Sequence, residues 1–178
     1  MKKRILAAAL ISLVVSAGCH SEPPPPLLRL AGDSVWHYVQ QPAGARLTFA
    51  VNGESEIGGL AYTQVHVTIE DGDEIRDAGH LYVRLTDEGL FWRLSDSAHT
   101  LLTPGFFMYP VRPGRAYARD GATYRVERDT TSYAGATVNT LTYEQRVAGK
   151  DPLRVTFAPG DGMIALESGA FRFVRERP

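Results

Sequence analysis

Beyond residue 33, apolar and polar side chains alternate with a period of two through most of the chain. Leu47, Phe49 and Val51 alternate with Thr48 and Ala50, and Val65, Val67 and Ile69 with His66 and Thr68. Leu81, Val83 and Leu85 alternate with Tyr82 and Arg84, Leu90, Trp92 and Leu94 with Phe91 and Arg93, and Leu153, Val155 and Phe157 with Arg154 and Thr156. Successive side chains on a strand point to opposite faces, so each run predicts a strand with one apolar and one wetter face. Turn residues separate the runs: Asn52-Gly53, Gly58-Gly59, Asp71-Gly72, Glu88-Gly89, Asp120-Gly121 and Gly160-Asp161-Gly162. Each is expected to reverse the chain, with Glu88-Gly89 the clearest hairpin and Gly160 to Gly162 the last one. No stretch after residue 33 carries an apolar stripe at helical spacing. The expected fold is all-β, an antiparallel meander forming a curled half-barrel or small barrel.

The first thirty residues follow another pattern. Lys2, Lys3 and Arg4 precede an eleven-residue apolar run, Ile5 to Val15, and Ser16-Ala17-Gly18 then leads into Cys19. This order reads as a secretory signal over 1–18. The apolar run is shorter than the ~20 residues a spanning helix needs. Cys19 is the single cysteine. Residues 19–29 form a Pro-rich linker with four consecutive prolines, Pro23 to Pro26. At about 3.1 Å per residue, the stretch from His20 to Pro26 would act as a stalk of roughly 20 Å. One β domain is expected over 30–178.

Ala17-Gly18-Cys19 resembles the lipobox of bacterial lipoproteins, although Ser16 stands where that motif most often has Leu. The resemblance implies a palmitate-bearing lipid on Cys19, which becomes the mature N-terminus. His20, not Asp, follows the cysteine, and this is similar to the sorting pattern for the outer membrane, with the domain facing the periplasm. A second resemblance runs through the domain. Gly32, Trp36 and Tyr38 come early. Pro110, Pro113, Gly114 and Tyr117 are central, Ala134-Gly135 precedes a strand, and Pro159-Gly160-Asp161-Gly162-Met163 comes late. This series resembles a broad group of bacterial secreted lipoproteins without an established activity. Tyr117 stands where Trp is usual, and Asp161 where an apolar residue is usual. The resemblance implies an all-β envelope domain and supplies no catalytic residue.

Charge and composition narrow the function. Without Lys2, Lys3 and Arg4, 16 of the 19 basic residues remain against 20 acidic ones. A mildly acidic surface without a basic strip argues against nucleic acid. His20, His37, His66, His80 and His99 lack metal-ligand spacing, so no metal or other cofactor is expected. The acidic turn from Asp71 to Asp77 lacks the ligand series of a calcium loop and reads as a solvated hairpin tip. The serines lack a nucleophile elbow, and Asp96 and His99 near a serine do not amount to a triad. No catalytic residue is assigned and no enzyme activity is expected.

The stretch that calls for explanation is Phe106, Phe107, Met108 and Tyr109, bracketed by Pro104 and Pro110. It either packs as a short core strand or forms a rim that touches a ligand or partner. Three functions follow. The favoured one is a membrane-anchored, non-enzymatic binding or assembly module holding an envelope protein. The alternatives are a carrier of an apolar ligand or lipid, and a periplasmic inhibitor using the Asp71–Asp77 turn. A carrier requires an apolar cavity near Phe106 to Met108, whereas a partner binder has a filled core.

Overall fold

Twelve strands follow one another in the computed structural model, which describes residues 24–42, 44–95, 102–169 and 171–176. The first six are β1 (Val35–Gln40), β2 (Arg46–Ile57), β3 (Leu60–Asp71), β4 (Glu74–Thr86), β5 (Gly89–Leu94) and β6 (Gly105–Met108). The second six are β7 (Ala116–Arg119), β8 (Ala122–Tyr133), β9 (Ala136–Val147), β10 (Leu153–Ala158), β11 (Gly162–Ser168) and β12 (Phe171–Arg175). Among the described residues every regular element is a strand or a turn, and none is a helix.

All twelve strands form one antiparallel sheet, in the order β6-β5-β4-β3-β2-β1-β12-β11-β10-β9-β8-β7. The first and last strands pair at its centre, with Tyr38 opposite Arg175. The sheet curls until β6 approaches β7, and these sequence neighbours share no ladder. The result is a nearly closed barrel with one seam, the all-β meander that the alternation predicts.

The alternating residues supply the core. Leu47, Phe49, Val65, Val67, Leu81, Val83, Leu90, Trp92, Val155 and Phe157 all face inward and are buried. Trp36 and Tyr38 share that face, and the Tyr38 hydroxyl donates to Met163 O at 2.9 Å. Because neighbouring strands alternate in direction, turns fall at two ends. The turns β2–β3, β4–β5, β8–β9 and β10–β11 lie at one, here the proximal end. The turns β1–β2, β3–β4, β7–β8, β9–β10 and β11–β12 lie at the other, distal end.

Two expectations are corrected in detail. Asn52-Gly53 is no turn: it is a bulge within β2, where the register with β3 slips between Val51 and Gly53. The extra residue lets one long strand bend around the barrel. Gly160 to Gly162 forms the β10–β11 turn, and the last reversal comes between β11 and β12, near Gly169. The chain also packs against the barrel just before residue 30. Leu27 is 2% exposed and Leu28 is buried beside it, and Gly160 N donates to Pro26 O at 2.8 Å. The described end of the Pro-rich stretch thus packs into the proximal mouth. Two apolar side chains lose water there, which a free stalk would leave wet.

Gly89 in the β4–β5 turn shows how tightly β6 sits. At φ +143, a Cβ on Gly89 would run into Phe107 O and stand 2.8 Å from Tyr109 N. Gly121 also has positive φ, but the space around it is open. Gly89→Ala is therefore expected to cost about 1–3 kcal/mol, measured by urea unfolding, and clearly more than Gly121→Ala. Equal costs would show that β6 yields freely.

Candidate functional site

The aromatic run forms β6 and lies at the seam. Phe106 and Phe107 are 2% and 0% exposed, while Met108 and Tyr109 are partly buried. Phe107 points inward and meets the rings of Trp92, Tyr143 and Phe157 at centroid distances of 4.6, 5.3 and 5.3 Å. Phe106 faces the other way, 4.2 Å from Phe91 and beneath the Arg119 guanidinium at 4.3 Å. Both rings thus join packed layers, and Tyr109 lines a cleft.

Side chains take the place of a ladder along the free edge of β6. Phe106 N donates to the Tyr124 hydroxyl at 3.1 Å. The Tyr117 hydroxyl donates to Phe106 O at 2.8 Å and accepts from Met108 N at 3.1 Å. The Tyr143 hydroxyl donates to Met108 O at 2.8 Å. Gln145, 1% exposed, donates through Nε2 to Pro104 O at 2.6 Å and to the Tyr124 hydroxyl at 3.1 Å. Its Oε1 accepts from Thr103 Oγ1 at 2.7 Å. An unpaired backbone group costs free energy when buried, and these phenols and this amide satisfy several at once. Burial pushes the phenols of Tyr117, Tyr124 and Tyr143 above their ordinary range. Hydrogen bonds from Met108 N and Phe106 N oppose that shift at Tyr117 and Tyr124.

The barrel interior holds little. The cavity enclosed by Leu28, Trp36, Tyr38, Phe49, Trp92 and Phe157, among others, measures about 20 Å³. That admits about one water molecule, whereas sites for small ligands span roughly 300–1,000 Å³. This interior cavity, among the described residues, is too small for an acyl chain.

Two clefts stand at opposite ends. The distal one, about 400 Å³, is lined by Glu144, Arg146, Arg154, Glu167, Phe171 and Arg172, with Gln41 and Ser168. Arg154 Nη2 and Arg146 Nη2 both reach Glu144 at 2.7 Å, and Arg172 Nε reaches Glu167 at 3.0 Å. Arg154 above all, then Arg146, holds the Glu144 carboxyl below its ordinary range. The proximal cleft, about 260 Å³, is lined by Tyr109, Pro110, Val111, Arg128, Asn139 and Leu141, and also by Pro24. Neither Gln145 nor the distal arginines were singled out by sequence. A polar residue at an inward position, two after Tyr143, was the signal available for Gln145.

The histidines are less scattered in space than along the chain. His66 and His80 stack across β3 and β4 at 5.1 Å, and His66 Nε2 lies 3.1 Å from Asp77 Oδ1. Gly79 N, donating at 2.6 Å, and His66 hold the Asp77 carboxyl below its ordinary value. Among the described residues no three His, Cys, Asp or Glu side chains converge on a metal position. The acidic turn forms the β3–β4 tip, where Arg76 pairs with Glu74 at 3.2 Å and Asp71 at 3.6 Å. Cys19, Asp96 and His99 lie outside the described residues.

No protein-family model matches the chain, and no curated protein sequence matches it. Among solved structures it resembles a candidate exported protein with a YmcC-like fold from Bacteroides fragilis. The TM-score is 0.53 at 12% identity, over 87% of this chain and 99% of that one. A candidate lipoprotein from Parabacteroides distasonis superposes with a TM-score of 0.49 at 10% identity, over 88% and 99% of the two chains. At such identity the first likeness bears on fold alone.

Proposed function

We propose that this chain is a lipid-anchored, non-enzymatic binding module of the bacterial cell envelope, presenting its distal cleft to an envelope protein. The filled interior carries the reading, because an interior of about 20 Å³ leaves the outer clefts as the places for a ligand or partner. The distal cleft opens at the end away from Pro24, where the chain enters the barrel, and so faces away from an anchor at Cys19. Its guanidinium forks and carboxylates suit a partner surface of mixed charge. The residue after Cys19, His20, supports the outer membrane with the domain in the periplasm. The export and lipoprotein descriptions of the two similar structures accord with that location.

The anchor and the binding surface are tested separately. Cys19→Ala is expected to abolish labelling by radioactive palmitate, and labelling that persists would refute the site. A photo-crosslinking residue at Phe171 is expected to capture one envelope protein, and Arg154→Glu to reduce that capture at least tenfold. Capture that ignores the charge reversal would exclude the distal cleft as the binding surface.

A further inference from the structure

The geometry points to a second binding site at the proximal end: the cleft of Tyr109, Arg128 and Asn139 holds the phosphate of a membrane phospholipid headgroup. The lipid source of that phosphate rests on Cys19 as the anchor. The chemistry of the cleft stands on its own.

Position is the first argument. Pro24 lines this cleft, and Pro24 is five residues after Cys19. At 3.6 Å per residue at most, a chain anchored at Cys19 keeps the cleft within roughly 18 Å of its own lipid. The proximal end also exposes Val35, Leu60 and Leu85, three of the four large apolar side chains left open to water among the described residues. The fourth, Ile75, sits on the distal β3–β4 tip. Apolar tips at the end nearest the bilayer suit contact with its interface.

Chemistry is the second. Arg46, Arg76, Arg119, Arg125, Arg146, Arg154 and Arg172 all pair with carboxylates. Arg128 has no ion pair among the described residues, yet it lines a concave site. Its guanidinium is a planar fork of donors that matches phosphate oxygens. In the β8–β9 ladder Arg128 stands opposite Leu141, and Asn139, two residues before Leu141, shares that strand face. Asn139 thus adds a neutral donor, and the Tyr109 phenol closes the cleft from the loop after β6. The neighbouring carboxylate, Asp129, is on the opposite strand face and accepts from Thr130 N at 2.7 Å. Burial, opposed by the nearby Arg128, raises the Tyr109 phenol above its ordinary value, so it stays a donor at neutral pH. A volume of about 260 Å³ suits a phosphodiester headgroup whose acyl chains remain in the bilayer.

The test is a titration followed by NMR, on the full chain carrying Cys19→Ala. The probes are glycerophosphoethanolamine, a headgroup without tails, and inorganic phosphate. Saturable shifts at Arg128, Asn139 and Tyr109 are expected with the headgroup at millimolar concentration. Arg128→Gln should weaken binding at least tenfold, and Arg128→Lys should restore part of it. Arg128 is exposed, so neither change threatens the fold. Shifts with inorganic phosphate alone would overturn the headgroup assignment in favour of a free anion. Shifts with neither probe, or shifts unchanged by Arg128→Gln, would overturn the site. Because the titration needs no lipid on Cys19, it can fail or succeed independently of the palmitate result.

Discussion

Phe107→Ala is expected to destabilise the barrel by about 3–5 kcal/mol, the range for truncating a fully buried aromatic ring. Phe107 is the inward residue of β6, the short strand at the seam. Its ring touches Trp92 from one arm of the sheet and Tyr143 and Phe157 from the other. Across the seam no ladder shares the work, so removing the ring leaves a cavity where the two arms meet. Against a typical total of roughly 5–15 kcal/mol, the loss would be a large fraction of the domain's stability. Urea unfolding measures it, with Ile75→Ala at an exposed hairpin tip as the reference. Equal costs would mean that β6 leans on the barrel without holding it.

A steep alkaline collapse is the second large effect. Burial pushes the phenols of Tyr38, Tyr117, Tyr124 and Tyr143 above their ordinary value of 10.0, because phenolate is poorly solvated there. Below pH 10 the folded and unfolded chains both hold these protons, and the stability they support is complete. Above pH 10 the unfolded chain releases them while the folded chain keeps them. Stability therefore falls as pH rises, until each group reaches its own folded-state pKa. Each tyrosine held far above that value contributes a slope of about 1.4 kcal/mol per pH unit, so Tyr38, Tyr117 and Tyr143 together approach about 4 kcal/mol per unit. The urea midpoint should stay level from pH 7 to 9 and drop sharply between 10 and 12. Tyr143→Phe should remove one proton from that slope. At neutral pH it should cost about 1–3 kcal/mol, since Met108 O loses its donor. A midpoint that is flat up to pH 12 would mean that the phenols reach water.

These expectations bear on how the barrel closes. Full ladder closure removes both edges of a sheet. Here β6 and β7 keep theirs, and Tyr117, Tyr124, Tyr143 and Gln145 satisfy the edge of β6 with side chains. The interior stays filled, and polar clefts remain at both ends. The proposed division of labour follows: the end near the anchor meets the bilayer, and the far end meets a partner.

Much of this was legible along the chain. A period of two is a local property of strand geometry, so Leu47, Phe49, Val65, Val67, Val155 and Phe157 announce their inward face without reference to any neighbour. The reversals at Gly58-Gly59, Asp71-Gly72 and Glu88-Gly89 are local too, since each depends on backbone freedom over two residues. The lipobox-like segment is read the same way, from charge, apolar length and one cysteine. Tertiary structure alone decided the rest. Asn52-Gly53 has the composition of a turn and became a bulge, because β2 must stay paired with β3 while bending around the barrel. Leu27 and Leu28, within a Pro-rich run, became core because the proximal mouth needed apolar cover. Gln145 was buried because Pro104 O and the Tyr124 hydroxyl, 41 and 21 residues away, needed its amide. The proximal cleft joins Pro24, Tyr109, Arg128 and Asn139 only once the sheet has curled. Pairing between distant segments fixes which polar groups lose water together, and no window along the chain contains that information.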